Sequence, residues 1–256
     1  MTSAMHKFFS SLILIAASVA HAQTDDGLVL RLSRLAPEAN PSVISLGVRA
    51  AHCAASHESE HARTVAIIDY SKPSTEVRMW VFDLASEKLL YAERVSHGQG
   101  SGDNFMTRYS NRSGSHQTSI GLFRTGDEYH GKNGYSMRLH GLDSGYNDKA
   151  YERAIVVHGA PYVSDSAVKQ LGRLGRSWGC PAVRLEVANK LIDDLKGGNY
   201  LFAYYPDEKW LAESPWFDCE SSEDARRTVH SGLLVPVDEA IAGEPAENAA
   251  IMRPSS

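Results

Sequence analysis

The sequence predicts a mainly β fold with flanking helices, an α+β domain that spans about residues 63–207. Short runs rich in branched and aromatic residues recur between turn residues, and helical periodicity is confined to a few segments. Hydrophobic residues make up 43% and charged residues 22% of the 256-residue chain, which is typical of a soluble globular protein. The net charge of -5 argues against general binding to nucleic acid.

Residues 1–22 have the pattern of a secretory signal peptide. Lys7 precedes the apolar run FFSSLILIAASVA, and small residues in an A-x-A arrangement end at Ala22. This run is shorter than the ~20 apolar residues that a membrane-spanning helix needs. We therefore expect cleavage after Ala22, export across the inner membrane, and a mature protein in the periplasm or cell envelope without stable membrane insertion. An uncleaved membrane anchor is the alternative.

Residues 23–62 are predicted to form an N-terminal helical extension that packs on the outside of the main domain. Asn40 is suited to cap a helix, and Pro41 is suited to its first position. From Val43 to Ala51, apolar residues then recur at helical spacing.

The main domain contains the predicted strands, which are residues 64–70, 77–84, 89–96, 120–125, 135–141, 153–160 and 200–206. The Gly-, Ser- and Asn-rich residues 97–119 are too many for a hairpin turn, so we expect an ordered loop over a cleft. Helices are predicted at residues 164–172 and 184–198. Residues 208–256 lose this rhythm and are predicted to be a weakly ordered C-terminal tail.

The chain has three cysteines, Cys53, Cys180 and Cys219. Export would place them in an oxidising compartment, where thiols pair, and an odd number leaves one over. A disulfide between Cys53 and Cys219 would leave Cys180 free. Three unpaired thiols are the alternative, because sequence does not reveal connectivity.

The stretch GRSWGCPAVR, residues 175–184, marks Cys180 as a candidate nucleophile. Gly179 lets the backbone approach a substrate without a side chain in the way, and the N–H of Cys180 could stabilise an oxyanion. Pro181 suits the first position of a helix, so we expect a helix N-terminus that favours the thiolate. Ser177 is expected to hydrogen-bond the loop rather than react.

His158 is the candidate base, because a cysteine becomes a nucleophile when a neighbour takes its proton. It ends the apolar run AIVVHG, which reads as a central strand, so its imidazole would emerge at a strand end. The backbone carbonyl of Gly159 could accept from one ring nitrogen, fix the tautomer and leave the other nitrogen facing the sulfur. We expect the imidazole to keep Cys180 ionised.

The segments VVHGAPYV, RSWGCPAV and TSIGLF together resemble the murein L,D-transpeptidase catalytic domain of the YkuD-type fold, in the branch with Gly-Cys-Pro at the nucleophile. The resemblance covers about residues 63–207 and implies an L,D-transpeptidase-type β-sandwich. It also implies acyl transfer between donor and acceptor stem peptides of peptidoglycan, in cell-wall cross-linking or remodelling. Cys180 would form a thioester, and His158 would serve as general base and acid.

The chain departs from the common motif of that family. Trp178 stands where the common motif has histidine, and Ala182 where it has arginine, so the nearest arginine is Arg184. Because the donor peptide carries carboxylates, the resemblance implies cations around the cleft. The candidate substrate-binding residues are Tyr162, Arg176, Ser177, Trp178 and Arg184.

Three other functions stay open. Water as the acceptor would make the enzyme an L,D-carboxypeptidase on the same stems. A zinc peptidase is suggested by the histidines at positions 97, 116, 130 and 140, but the chain has neither HExxH nor a close His-x-His pair. We therefore expect no metal and no cofactor. A non-catalytic wall-binding module would bind peptidoglycan without turnover.

Overall fold

The structure, a computed structural model, describes residues 26–58 and 62–219, and the predicted signal peptide lies outside these ranges. The helices are α1 (residues 26–35), α2 (Pro41–His57), α3 (Asp165–Leu171), α4 (Leu185–Leu195) and α5 (Glu208–Glu213), with one short 3-10 helix at Gln99–Ser101. The strands are β1 (Thr64–Asp69), β2 (Met79–Asp83), β3 (Lys88–Glu93), β4 (Gly121–Gly131), β5 (Gly134–Gly141), β6 (Val156–Gly159), β7 (Ala182–Val183) and β8 (Tyr200–Tyr204). Within the described ranges, none of the helices has the length and apolar character required to cross a membrane.

All eight strands belong to one sheet, in the order β3-β2-β1-β8-β4-β5-β6-β7. The pairs β1–β8 and β6–β7 are parallel and the other five pairs are antiparallel. The seven predicted strands are all present, and the two-residue β7 is the strand that sequence analysis misses. The mainly β fold with flanking helices is confirmed.

The sheet curls back on itself through the chain that follows β3. The N–H of Ser96 donates to the carbonyl of Ala182 in β7 at 2.9 Å, and Gly98 forms a parallel bridge with Ser177. These contacts join the region of one edge strand to the other edge strand. The hydrophobic core takes residues from strands of both halves of the sheet.

Helix α2 begins as the sequence predicts. Asn40 accepts a hydrogen bond from the N–H of Ser42 at 2.9 Å, and Pro41 follows the cap. The buried face of α2 belongs to the same core as the sheet. Gly47 allows a close approach there, because a Cβ at this position would come within 2.9–3.0 Å of carbons of Ile67 and Phe202.

Residues 208–219 are folded, which differs from the weakly ordered tail expected for this region. Trp210 of α5 is fully buried, and its indole N–H donates to Asp143 at 3.1 Å. Cys219 forms a disulfide with Cys53 on α2. A buried aromatic ring and a covalent tie therefore hold this segment to the domain, and the rest of the predicted tail lies outside the described residues.

Candidate active site

The parallel pairing of β6 with β7 aligns the two segments that contain the predicted base and the predicted nucleophile. His158 lies opposite Ala182, two residues after Cys180, and Gly159 lies opposite Val183. The free cysteine of the chain is Cys180, since the other two form the disulfide. Two segments far apart in sequence thus meet at this edge of the sheet.

Pro181 does not begin a helix, so that expectation is wrong. β7 follows it directly, and α4 begins only at Leu185. The two residues of β7 pair with β6, and the carbonyl of Val183 accepts from the N–H of Ala160 at 2.9 Å. Sheet hydrogen bonds therefore satisfy this backbone, and the helix N-terminus expected directly after Cys180 is replaced by a strand.

Cys180 lies in a tight turn that the hydroxyl of Ser177 stabilises. This hydroxyl donates to the carbonyl of Cys180 at 2.6 Å and accepts from the N–H of Gly179 at 3.1 Å. Gly179 has φ of 122°, and a Cβ there would lie 2.7 Å from the carbonyl oxygen of Gln117. Only glycine fits this turn without strain. The Ser177 hydroxyl is engaged inside the turn.

Cys180 is buried, with 8% of the residue exposed, and its sulfur contacts the segment before β6. Its Sγ donates to the carbonyl of Ala154 at 3.7 Å. Burial raises the pKa of the Cys180 thiol, while the backbone N–H of Val156 and the charge of Arg153 act in the opposite direction. The resting side chain is therefore a thiol rather than the expected thiolate. Tyr162 lies nearby: burial raises its pKa to about 12, and Cys180 adds to that rise.

His158 is held as a neutral imidazole. Its Nδ1 lies 3.0 Å from the carbonyl oxygen of Gly159, and since a carbonyl only accepts, Nδ1 carries the proton. Nε2 therefore carries the lone pair. His158 is 4% exposed, and this burial lowers its pKa. The resting pair is a neutral thiol and a neutral base.

A buried pair supports the turn from below. Nη2 of Arg78 donates to Nδ1 of His97 at 2.9 Å, and the carbonyl of His97 accepts from the N–H of Ser177 at 3.0 Å. Burial lowers the pKa of Arg78 to about 10. The pKa of His97 is lowered to about 4, mainly by burial and secondly by the charge of Arg78. Arg78 also donates to the carbonyls of Val95 and Lys72. Sequence analysis missed Arg78 because it lies in a run that reads as an ordinary strand.

Trp178 forms the exposed side of the site. It is 66% exposed, and its ring stacks on His116 with centroids 4.7 Å apart and planes at 8°. Beside it opens a depression of about 190 Å³, lined by Ser113, Gly114, His116, Arg153 and Trp178. The loop expected over a cleft therefore supplies one wall of a depression that Trp178 also lines.

The two predicted substrate-binding arginines are already engaged by carboxylates. Nη1 of Arg176 donates to the carbonyl of Gly102 at 2.7 Å and to Asp103 at 3.0 Å. Arg184 makes a bidentate pair with Glu93, at 2.8 and 2.9 Å. Contact of these arginines, and of Tyr162 and Trp178, with a substrate stays a prediction.

The four histidines that suggested a zinc site lie in separate contacts. These are His97 with Arg78, His116 with Trp178, His130 with Tyr135, and His140 with Tyr151. Across residues 26–58 and 62–219, the one group with the spacing of metal ligands is Cys53, His57 and Cys219, and its two cysteines are joined as the disulfide.

A search of curated proteins found no match. Among solved structures, the chain is similar to the L,D-transpeptidase LdtMt1 in complex with imipenem (15% identity, TM-score 0.35) and to an L,D-transpeptidase from Mycobacterium smegmatis (14%, 0.35), in each case over 57% of this chain and 60% of the other. A third, an L,D-transpeptidase from Mycobacterium tuberculosis H37Rv, is 16% identical with a TM-score of 0.33, over 57% of this chain and 59% of the other. The match thus spans less than two thirds of those chains.

The family model of the L,D-transpeptidase catalytic domain matches residues 35–204, a range that contains the sheet, α2 and the turn of the nucleophile. Because this match covers more than half of the chain, the chain belongs to the L,D-transpeptidase catalytic domain family.

Proposed function

We propose that this chain is an exported cysteine acyltransferase that joins peptidoglycan stem peptides by L,D-transpeptidation. Family membership supports the reaction class. The observation that carries the proposal is the parallel pairing of β6 and β7, in which His158 lies opposite Ala182, two residues after the free Cys180. The carbonyl of Gly159 fixes the tautomer of His158. The signal-like residues 1–22 support export.

Acylation begins from the neutral pair. Nε2 of His158 takes the thiol proton as Sγ of Cys180 attacks the carbonyl carbon at the L-centre of a diamino-acid residue. The N–H of Cys180 is the donor we assign to the oxyanion, because the N–H of Gly179 is committed to Ser177. The imidazolium then protonates the amine of the terminal D-residue, the C–N bond breaks, and a thioester remains.

Transfer reverses these proton movements. The amine of an acceptor stem attacks the thioester and gives a proton to Nε2 of His158, which returns it to the departing sulfur. We assign Trp178 to the stem peptide, since its ring is exposed at the turn and borders the depression. If water attacked in place of the amine, the product would be a tripeptide stem and the enzyme would act as an L,D-carboxypeptidase.

The test is incubation of residues 23–256 with disaccharide-tetrapeptides, with the products identified by mass spectrometry. We expect dimers from the wild-type chain, a covalent adduct on Cys180, and a loss on the order of 10³-fold in Cys180→Ser. A chelator should leave the rate unchanged. Tripeptide alone would indicate trimming instead of transfer, and unchanged substrate would refute an enzyme of this class.

Protein recovered from the cell envelope should begin at Gln23, and an intact N-terminus would refute export by cleavage.

A further inference from the structure

Arg153 ties the loop that contains residues 110–119 to the segment before β6. Each of its two terminal nitrogens makes two hydrogen bonds to this loop. The acceptors are the carbonyl of Ser110 at 2.6 Å and the hydroxyl of Ser119 at 2.5 Å for Nη1, and the carbonyl of Gln117 at 2.7 Å and the hydroxyl of Ser115 at 3.3 Å for Nη2. One partly buried guanidinium thus holds four points of the loop.

The loop in turn rests on the residue before the nucleophile. The carbonyl of Gln117, which accepts from Arg153, lies so close to Gly179 that a Cβ there would be 2.7 Å from its oxygen. The hydroxyl of Thr118 lies 3.5 Å from the carbonyl of Gly179, to which it donates. The position of this loop backbone therefore determines where the turn of Cys180 can lie.

Arg153 also affects the sulfur of Cys180 through its charge and through the position of the next residue, Ala154. The next residue, Ala154, has φ of 53°, in the left-handed region, and its carbonyl accepts from Sγ of Cys180 at 3.7 Å. Burial raises the pKa of Cys180, and the charge of Arg153 acts against that rise. Burial lowers the pKa of Arg153, and Cys180 acts against that fall. The other titratable groups that face the sulfur are Tyr70 and Tyr162, whose pKa values burial raises, and the paired strand brings His158 to the same edge.

We propose that Arg153 is a positioning residue for the nucleophile: its guanidinium clamps the loop of residues 110–119 against Gly179, and its charge favours the thiolate that forms during attack. The effect on turnover rests on the proposed function. The effect on the reactivity of Cys180 towards an alkylating agent does not rest on it, so the proposal for Arg153 and the proposed function can fail separately.

The experiment compares Arg153→Met with Arg153→Lys. In Arg153→Met, which loses the charge and the fork of donors, the apparent pKa for alkylation of Cys180 by iodoacetamide should rise by on the order of one unit. Its turnover of disaccharide-tetrapeptides should fall at least ~10-fold. Arg153→Lys keeps a cation but not the four-point contact, so its alkylation profile should stay within ~0.5 pH unit of wild type while turnover still falls ~10-fold.

Arg112→Met is the matched control, since Arg112 is an exposed arginine of the same loop, and it should behave as wild type in both measurements. A folded Arg153→Met with the wild-type alkylation profile and turnover would overturn the proposal. If circular dichroism finds that variant unfolded, Ser119→Ala decides instead: it removes one acceptor and keeps the cation, and wild-type turnover in it would refute the clamp. If the wild-type chain turns over no stem peptide, the proposed function fails, and alkylation still tests Arg153.

Discussion

His97 lies fully buried below the turn of the nucleophile, where its Nδ1 accepts from Arg78. In the unfolded chain its pKa is near 6.5, and in the folded protein burial and the Arg78 charge lower it to about 4. Between these values the unfolded chain binds a proton that the folded protein does not. The free energy of unfolding therefore falls as the pH falls through this window, by about 3 kcal/mol for this residue.

We expect His97→Asn to remove this dependence, because asparagine offers an oxygen to Arg78 and does not titrate. Urea denaturation at several pH values between 6.5 and 4 measures the effect. The wild-type protein should lose about 3 kcal/mol more than the variant over that range, whatever their difference at pH 7. Equal losses in the two proteins would mean that His97 is not held neutral.

At the scale of residues, sequence predicts local chemistry better than distant partners. Two features depend only on neighbours in sequence, and the structure has both. Gly179, beside Cys180, has the positive φ that favours glycine, and Nδ1 of His158 contacts the carbonyl of Gly159. Arg176 and Arg184 read as free cations, yet their carboxylates lie 73 and 91 residues away, where no local pattern points to them. Arg153 was missed for the same reason, since its acceptors all belong to another loop.

Among the elements, α2 depends on a cap that can be tested directly. We expect Asn40→Ala to lower the free energy of unfolding by about 1 kcal/mol, because the N–H of Ser42 loses its acceptor. Asn40→Asp, which keeps a side-chain oxygen, is the control and should stay close to wild type. Urea denaturation at pH 7 measures both, and a loss of the same size in the two variants would show that the cap contributes nothing.

The elements that sequence predicts well are those with a clear period. The seven longer strands and α2 carry branched residues or helical spacing, whereas β7 has two residues and no period of its own. Pro181 suits a helix start locally, but pairing with β6 decides the outcome, and that pairing is a tertiary contact. The candidate nucleophile Cys180 therefore precedes a strand instead of a helix, and burial is the largest influence on its pKa, which it raises.

For the whole molecule, the disulfide is the largest single constraint that can be removed by substitution. It joins Cys53 to Cys219 across 166 residues, so it restricts nearly the whole described chain when unfolded. We expect the double variant Cys53→Ser/Cys219→Ser to lose about 2–5 kcal/mol of unfolding free energy. Guanidinium denaturation should give the same midpoint for this variant as for wild type in a reductant, and Cys180→Ser should keep the oxidised midpoint. An unchanged midpoint in the double variant would refute the stabilising role.

The long separation of the two bridged cysteines also has a consequence during synthesis. As the chain emerges from its N-terminus, Cys53 comes first, Cys180 second and Cys219 last. Until the last appears, an oxidant can join Cys53 only to Cys180 within this chain, and that early bridge would block the candidate nucleophile and leave Cys219 without its disulfide partner. Formation of the disulfide between Cys53 and Cys219 therefore requires that oxidation occur after the whole domain has emerged, or that an isomerase exchange an early bond between Cys53 and Cys180 for it.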